Sequence, residues 1–147
     1  MVDQNMVGTK VHFTWQVERG KIAEFIAATG DSTPIYSDKE AAAAEGYQDP
    51  VWPPTFTPVP LKWSGVLYNL FSTLGMPVHK LMHAEQSYQF HREILTGDTL
   101  SGVMEVKSIT SREGKSGPLE FILFETVFVN QHEEEVLQEE MLVVVRS

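Results

Sequence analysis

Chemistry in this chain concentrates between Thr29 and Phe56, TGDSTPIYSDKEAAAAEGYQDPVWPPTF. The stretch holds the one acid/base constellation, around Asp31, and places Pro53, Pro54 and Phe56 just ahead of the longest apolar helical pattern. Asp31 has two readings. An ionised Asp can take a proton from a water poised for reaction. An Asp before Ser-Thr-Pro is also ordinary turn chemistry, its carboxylate accepting from a backbone N–H two residues on. Tyr36, with a reference pKa of about 10, is a packed aromatic or a hydroxyl that contacts a ligand, and a poor general base at neutral pH. His79 and His83 have the spacing of two ligands on one helical face, but Glu85 would leave that face and Gly75 and Pro77 disfavour a helix. No metal is expected there. No serine lies in a nucleophile-elbow pattern.

The elements that must position these residues follow from periodicity. Val11, Phe13, Trp15 and Val17 alternate with polar residues, the signature of a half-buried strand. Ile22, Phe25 and Ile26 fall on one helical face, and Gly30 stops that helix. Ser37-Asp38-Lys39-Glu40 reads as a capping box, opening an alanine-rich helix that ends at Gly46. After a proline-rich loop from Asp49 to Pro54, Thr57 is the expected N-cap of a long helix with Pro58 and Pro60 in its first turn. Val59, Trp63, Val66, Leu67, Leu70, Phe71 and Leu74 form one apolar stripe, so the spacing predicts a continuous helix over 58–74, about 25 Å long.

Four strands follow: Ser87 to Ile94, Thr99 to Arg112, Phe121 to Val129 and Val136 to Arg146. Turns are expected at Thr96-Gly97-Asp98, at Glu113 to Gly117 and at Asn130 to Glu135. The third strand is apolar on almost every residue and is expected to be covered on both faces, by helix on one side and a partner chain on the other. Short turns make the sheet antiparallel. The economical arrangement is one domain over 1–147, a curved sheet of about five strands wrapped around one long central helix, of class α+β.

Bulk composition bounds the partners. A chain of 147 residues is long enough to bury roughly two-thirds of its unfolded surface. With 20 acidic against 11 basic side chains the net charge is −9, a field that repels phosphate backbones and anionic lipid. Nucleic-acid and membrane-surface binding are therefore not expected. There is no cysteine, which excludes a disulfide framework and thiolate metal sites. No apolar run is long enough to span a bilayer, and the expected location is the cytoplasm.

Three segments in order carry a resemblance. Val17 to Asp31 is similar to an opening helix, Gly30-Asp31-Ser32-Thr33-Pro34-Ile35-Tyr36 resembles a Gly-Asp-x-Asn-Pro-Ile-His signature, and His91 to Leu100 resembles the strand and Gly-Asp turn that follow it. Together they resemble the MaoC-like hydratases and dehydratases of the hot-dog fold. The resemblance implies action on acyl thioesters of coenzyme A or acyl carrier protein, with no cofactor beyond that substrate. In the family an Asp–His dyad holds the water that adds to an enoyl thioester, and a backbone N–H of a His-Gly pair polarises the thioester carbonyl. Here the two signature positions are Asp31 and Tyr36, Thr33 stands where Asn is expected, and Pro53-Pro54 replace the His-Gly pair.

Two catalytic parts are thus absent, since tyrosine is a poor base and proline has no N–H. The pattern resembles the family's dyad-depleted half, in which Trp52, Pro53, Pro54, Thr55 and Phe56 would line an acyl tunnel and a hot-dog partner, homodimeric or heterodimeric, would supply the dyad. The alternatives are a free-standing enoyl hydratase using Asp31 as base and Tyr36 as donor, a thioesterase, and a non-enzymatic acyl-ligand binding protein.

Overall fold

Alternation of apolar and polar residues along five segments builds the sheet. The computed structural model describes residues 2–114 and 117–146. Its strands are β1 (Lys10–Gln16), β2 (Leu81–Phe90), β3 (Thr99–Gly114), β4 (Gly117–Val129) and β5 (Glu135–Arg146), in the spatial order β1-β3-β4-β5-β2 with every neighbour antiparallel. Four helices accompany them: α1 (Arg19–Thr29), α2 (Lys39–Ala44), α3 (Pro58–Trp63) and α4 (Val66–Thr73). This is the hot-dog architecture in its α+β form. Part of the expected turn at Glu113 to Gly117 lies outside the described residues, namely Lys115 and Ser116. Among the described residues no helix is long and apolar enough to cross a membrane.

Register turns the inner face of the sheet into rows. One row runs Phe13, Gly102, Phe128, Leu137, Phe90; the next runs Val11, Met104, Thr126, Glu139, Tyr88. In β4 the inner residues Ile122, Phe124 and Phe128 are fully buried, while Phe121, Leu123 and Val127 on the other face are only half-buried. Within one chain, then, the third predicted strand is sealed on one face rather than two.

The helix over that face differs from expectation. Instead of one rod over 58–74, the chain makes α3, breaks at Gly65 with φ +77°, and restarts as α4. A residue at that φ cannot continue a right-handed helix, and glycine adopts it without a Cβ penalty. The apolar stripe survives the break because both pieces lie on the same sheet: Leu61, Val66, Leu67, Leu70, Phe71 and Leu74 are buried. Trp63 leaves the stripe, stays 67% exposed and is covered by the Lys21 ammonium 4.1 Å from its ring centre.

Two caps also move. Asp38, not Ser37, caps α2, its carboxylate accepting from the N–H groups of Glu40 and Ala41. Thr57 stands at the N-cap of α3 without a side-chain cap bond. Finally, β2 begins at Leu81, six residues before the predicted Ser87, because the sheet's edge needs no alternation. A register shift between His83 and Glu85 marks that irregular stretch.

A close approach holds the edge strand β1. Gly102 lies opposite Phe13, whose ring covers it and meets Phe128 edge-on at 5.6 Å. A Cβ on Gly102 would sit 2.2 Å from that ring. Gly102→Ala is therefore expected to cost about 1–3 kcal/mol by overpacking. Urea unfolding should show this penalty vanish in a Phe13→Ala background; an equal penalty in both backgrounds would place the cause elsewhere.

Candidate functional site

The residues around Asp31 and Tyr36 are assembled by backbone hydrogen bonds between distant segments. Gly30 (φ +70°) ends α1, and the Asp31 N–H closes that end on the Ile26 carbonyl at 3.0 Å. Pro34 then opens a single 3-10 turn, Pro34–Tyr36. The proline-rich loop is stitched across it: the Val51 N–H donates to the Ile35 carbonyl (3.0 Å) and the Trp52 N–H to the Ile94 carbonyl (2.8 Å). Both the Thr96 N–H and its hydroxyl donate to the Pro50 carbonyl, at 2.9 and 3.0 Å. The Gly97-Asp98 turn is structural here, since the Asp98 carboxylate accepts from the Leu95 N–H and from Gln131 Nε2, each at 2.8 Å.

These ties bring Tyr36, Tyr47, Trp52, Pro54, Phe90 and Glu93 around one cavity of about 260 Å³. Of the predicted ligand-contacting residues, Trp52 and Pro54 line it. Pro53 is buried but lies outside it, Thr55 is exposed, and Phe56 belongs to the core, edge-on to Trp52 at 4.8 Å and to Phe25 at 5.2 Å. The buried Trp52 indole N–H has no acceptor among the described residues. Glu85 is exposed on β2 and lines none of the described cavities. His79 and His83 do not share a helical face, one lying in the 3-10 turn Val78–Lys80 and the other in β2. Among the described residues no cluster of three metal-ligating side chains occurs.

Electrostatics assigns protonation states. The Thr33 side chain, and then its backbone N–H at 2.9 Å, hold the Asp31 carboxyl below its usual value. Tyr36 moves the other way: burial raises its phenol, and the charges of Asp31 and Glu93 raise it further. Near neutral pH the pair is a carboxylate already engaged by Thr33 and a phenol that can only donate or accept as a neutral hydroxyl. Neither is a base matched to neutral pH.

A second cavity, about 250 Å³, opens between α3, α4 and the β2–β5 pair, walled by Leu61, Leu67, Phe71, Met141 and Val143. Gln86 lines it, Phe90 lines the first cavity, and Tyr88 lies between them on the same face of β2, its ring 6.3 Å from that of Phe90. Four strand residues span about 13 Å. The two cavities thus succeed each other along one strand face.

Glu139 is the residue that sequence reading passed over. It is 1% exposed and lines the second cavity, flanked in its row by Thr126 and Tyr88 and approached by the fully buried Thr57. Burial pushes its carboxyl up to about 7; the hydroxyls of Thr57 and Thr126 pull it partly back without completing hydrogen-bond geometry. Lys62 and His83 are the other titratable groups that line the cavity, and both are exposed. A signal existed in the sequence: Glu139-Glu140 within an apolar strand must put one carboxylate inside.

A carboxyl that binds its proton more tightly folded than unfolded stabilises the fold below its unfolded value and loses that contribution as pH rises through the folded one. Between the unfolded reference of 4.5 and about 7, the wild type should lose stability relative to Glu139→Gln. The loss is on the order of 3 kcal/mol. Denaturant titrations at pH 4.5, 6 and 8 measure it; parallel profiles for the two proteins would contradict the buried-acid assignment.

Comparison with known proteins agrees with this architecture. The family model described as FAS1-like, dehydratase domain region matches residues 5–139. A UPF0336 protein of Streptomyces avermitilis is 36% identical over 116 residues, covering 77% of each chain. Among solved structures, a chain of the C-terminally truncated HadBC (3R-hydroxyacyl-ACP dehydratase) complex of Mycobacterium tuberculosis superposes with TM-score 0.81 at 23% identity, over 95% of this chain and 96% of that one. A MaoC-like dehydratase superposes at 0.85 with 27% identity, over 98% of this chain but 43% of its own.

Proposed function

This chain belongs to the FAS1-like dehydratase-region family, within the MaoC-like hot-dog hydratases and dehydratases, and we propose that it is the acyl-thioester-binding, dyad-depleted half of such an assembly. Its ligand is an acyl chain on coenzyme A or acyl carrier protein. Its partner is a second hot-dog chain that carries an intact Asp–His dyad for (R)-specific enoyl hydration or 3-hydroxyacyl dehydration. The observation that carries this reading is the state of the signature positions. The phenol of Tyr36, held protonated by burial and by two nearby carboxylates, stands where the dyad has imidazole, and Asp31 already accepts from Thr33.

The chemistry of the missing parts explains why a partner is needed. Hydration requires a group that takes a proton from water near neutral pH and a fixed N–H where enolate charge develops. The Pro53-Pro54 pair has no N–H to offer at that point. What remains suits binding. Two cavities in succession along β2, with Phe90, 40% exposed, at one end, support the reading of an extended apolar ligand. The HadBC neighbour is itself a complex, which supports a two-chain arrangement here, and the unpaired side of β2 offers an edge for it.

The proximity of Asp31 to Tyr36 favours one second reading, a free-standing hydratase with Asp31 as base and Tyr36 as donor. Crotonyl-CoA hydration, followed at the enoyl absorbance beside Asp31→Asn, separates the two. The purified chain is expected to show no turnover while binding thioester by calorimetry, and to gain turnover with a dyad-bearing partner. Turnover by the chain alone that disappears in Asp31→Asn would establish the second reading, and absence of thioester binding would remove both. In the binding assay Phe90→Ala should loosen affinity about tenfold through lost apolar contact.

A further inference from the structure

The second cavity contains more unmatched polar groups than an acyl channel needs. Both Glu139 oxygens, the Thr57 hydroxyl and Gln86 Nε2 are buried and belong to residues lining the same apolar cavity; among the described residues they complete no hydrogen bond, although Thr57 stands near enough to Glu139 and Tyr88 to pull both acids down. Thr57 could have capped α3 and does not. Gln86 has its amide oxygen engaged by His83 Nε2 at 3.0 Å, which leaves its N–H₂ without an acceptor. Buried polar groups are otherwise nearly always paired, and each left unpaired is costly. Their convergence is therefore a built feature of the cavity.

The inventory of these groups selects the ligand's chemistry. Glu139 needs a donor, Gln86 Nε2 needs an acceptor, and Thr57 takes either role. A ligand ammonium satisfies Glu139 but has no lone pair for Gln86. A carbonyl or ether accepts from Gln86 but leaves Glu139 unpaired once its carboxyl is ionised. A hydroxyl, with one donor and two acceptor sites, answers both. The volume of about 250 Å³ is room for on the order of eight heavy atoms at about 30 Å³ each.

We infer that Glu139, Thr57 and Gln86 form a hydroxyl-recognising subsite inside the cavity between α3, α4 and the β2–β5 pair, which takes an apolar chain bearing an alcohol. The subsite stands on this geometry. That its natural ligand is a hydroxylated acyl chain rests on the acyl-thioester reading above.

Probes of matched size test it without any thioester. Hexan-1-ol donates and accepts, butyl ethyl ether has the same atoms but only accepts, and hexylammonium only donates. In titrations at pH 8, where Glu139 is ionised, of the full chain in the assembly in which it purifies, followed by amide chemical shifts of β2 and β5, hexan-1-ol should bind at least about tenfold more tightly than either. Glu139→Leu should reduce that preference to within about twofold. Glu139→Gln, whose amide oxygen still accepts, should keep most of it, and the near-isosteric Thr57→Val should weaken it several-fold. Equal binding of alcohol and ether, a preference that survives Glu139→Leu, or no binding of hexan-1-ol at millimolar concentration would each overturn the subsite. Thioester binding is read separately, so alcohol selectivity without it would sink the acyl-thioester reading alone.

Discussion

One apolar sheet face must be taken out of water by a helix too irregular to cover it evenly, and most of the structure follows from that mismatch. Rows of large side chains across β1, β3, β4, β5 and β2 define the face, and period-2 alternation leaves no choice about which residues point inward. An unbroken helix over 58–74 would lie along it as a rod. Gly65 divides that rod, and α3 and α4 each bury their own apolar residues against the sheet. Between these pieces and the β2–β5 edge a cavity of about 250 Å³ remains, in a fold whose cores are otherwise densely packed. Incomplete cover is what leaves this space between helix and sheet.

The same face carries a polar row where an apolar one would pack better. Thr126, Glu139 and Tyr88 succeed one another from β4 through β5 to β2, with Thr57 above them. Burial raises the Glu139 carboxyl toward neutrality, and it raises the Tyr88 phenol, which the charge of Glu139 raises further. Apolar residues at such sites commonly stabilise a fold, so groups kept there at an energetic cost point to recognition rather than to stability. At the first cavity Tyr36, with Asp31 close enough to raise its phenol, shows a different balance: local partners hold the Asp31 carboxyl below its usual value and keep the phenol protonated.

Sequence reading of the sheet succeeded where periodicity was strong. Val11 to Val17 and Phe121 to Val129 became strands within a few residues of their predicted limits. The reading failed where a local signal was outvoted. Gly65 was hidden inside an apolar stripe that continues across it, because both helical pieces face one sheet. Ser37 lost the cap to Asp38, whose carboxylate reaches two N–H groups. The start of β2 was missed because a sheet edge tolerates His83, Ala84 and Glu85 without alternation.

By itself the amino-acid sequence determined what is chemically absent and which elements exist. That position 36 carries a phenol and that Pro53 and Pro54 have no N–H to donate are facts of residue type that no folding can reverse. Alternation likewise determined that one of Glu139 and Glu140 would face inward. Only the tertiary structure decided that Glu139 is that residue, and that Tyr88, Thr126, Thr57 and Gln86 surround it. Those neighbours come from segments far apart in the chain, and cross-strand register and the helix break, neither of them a local property, bring them to one point.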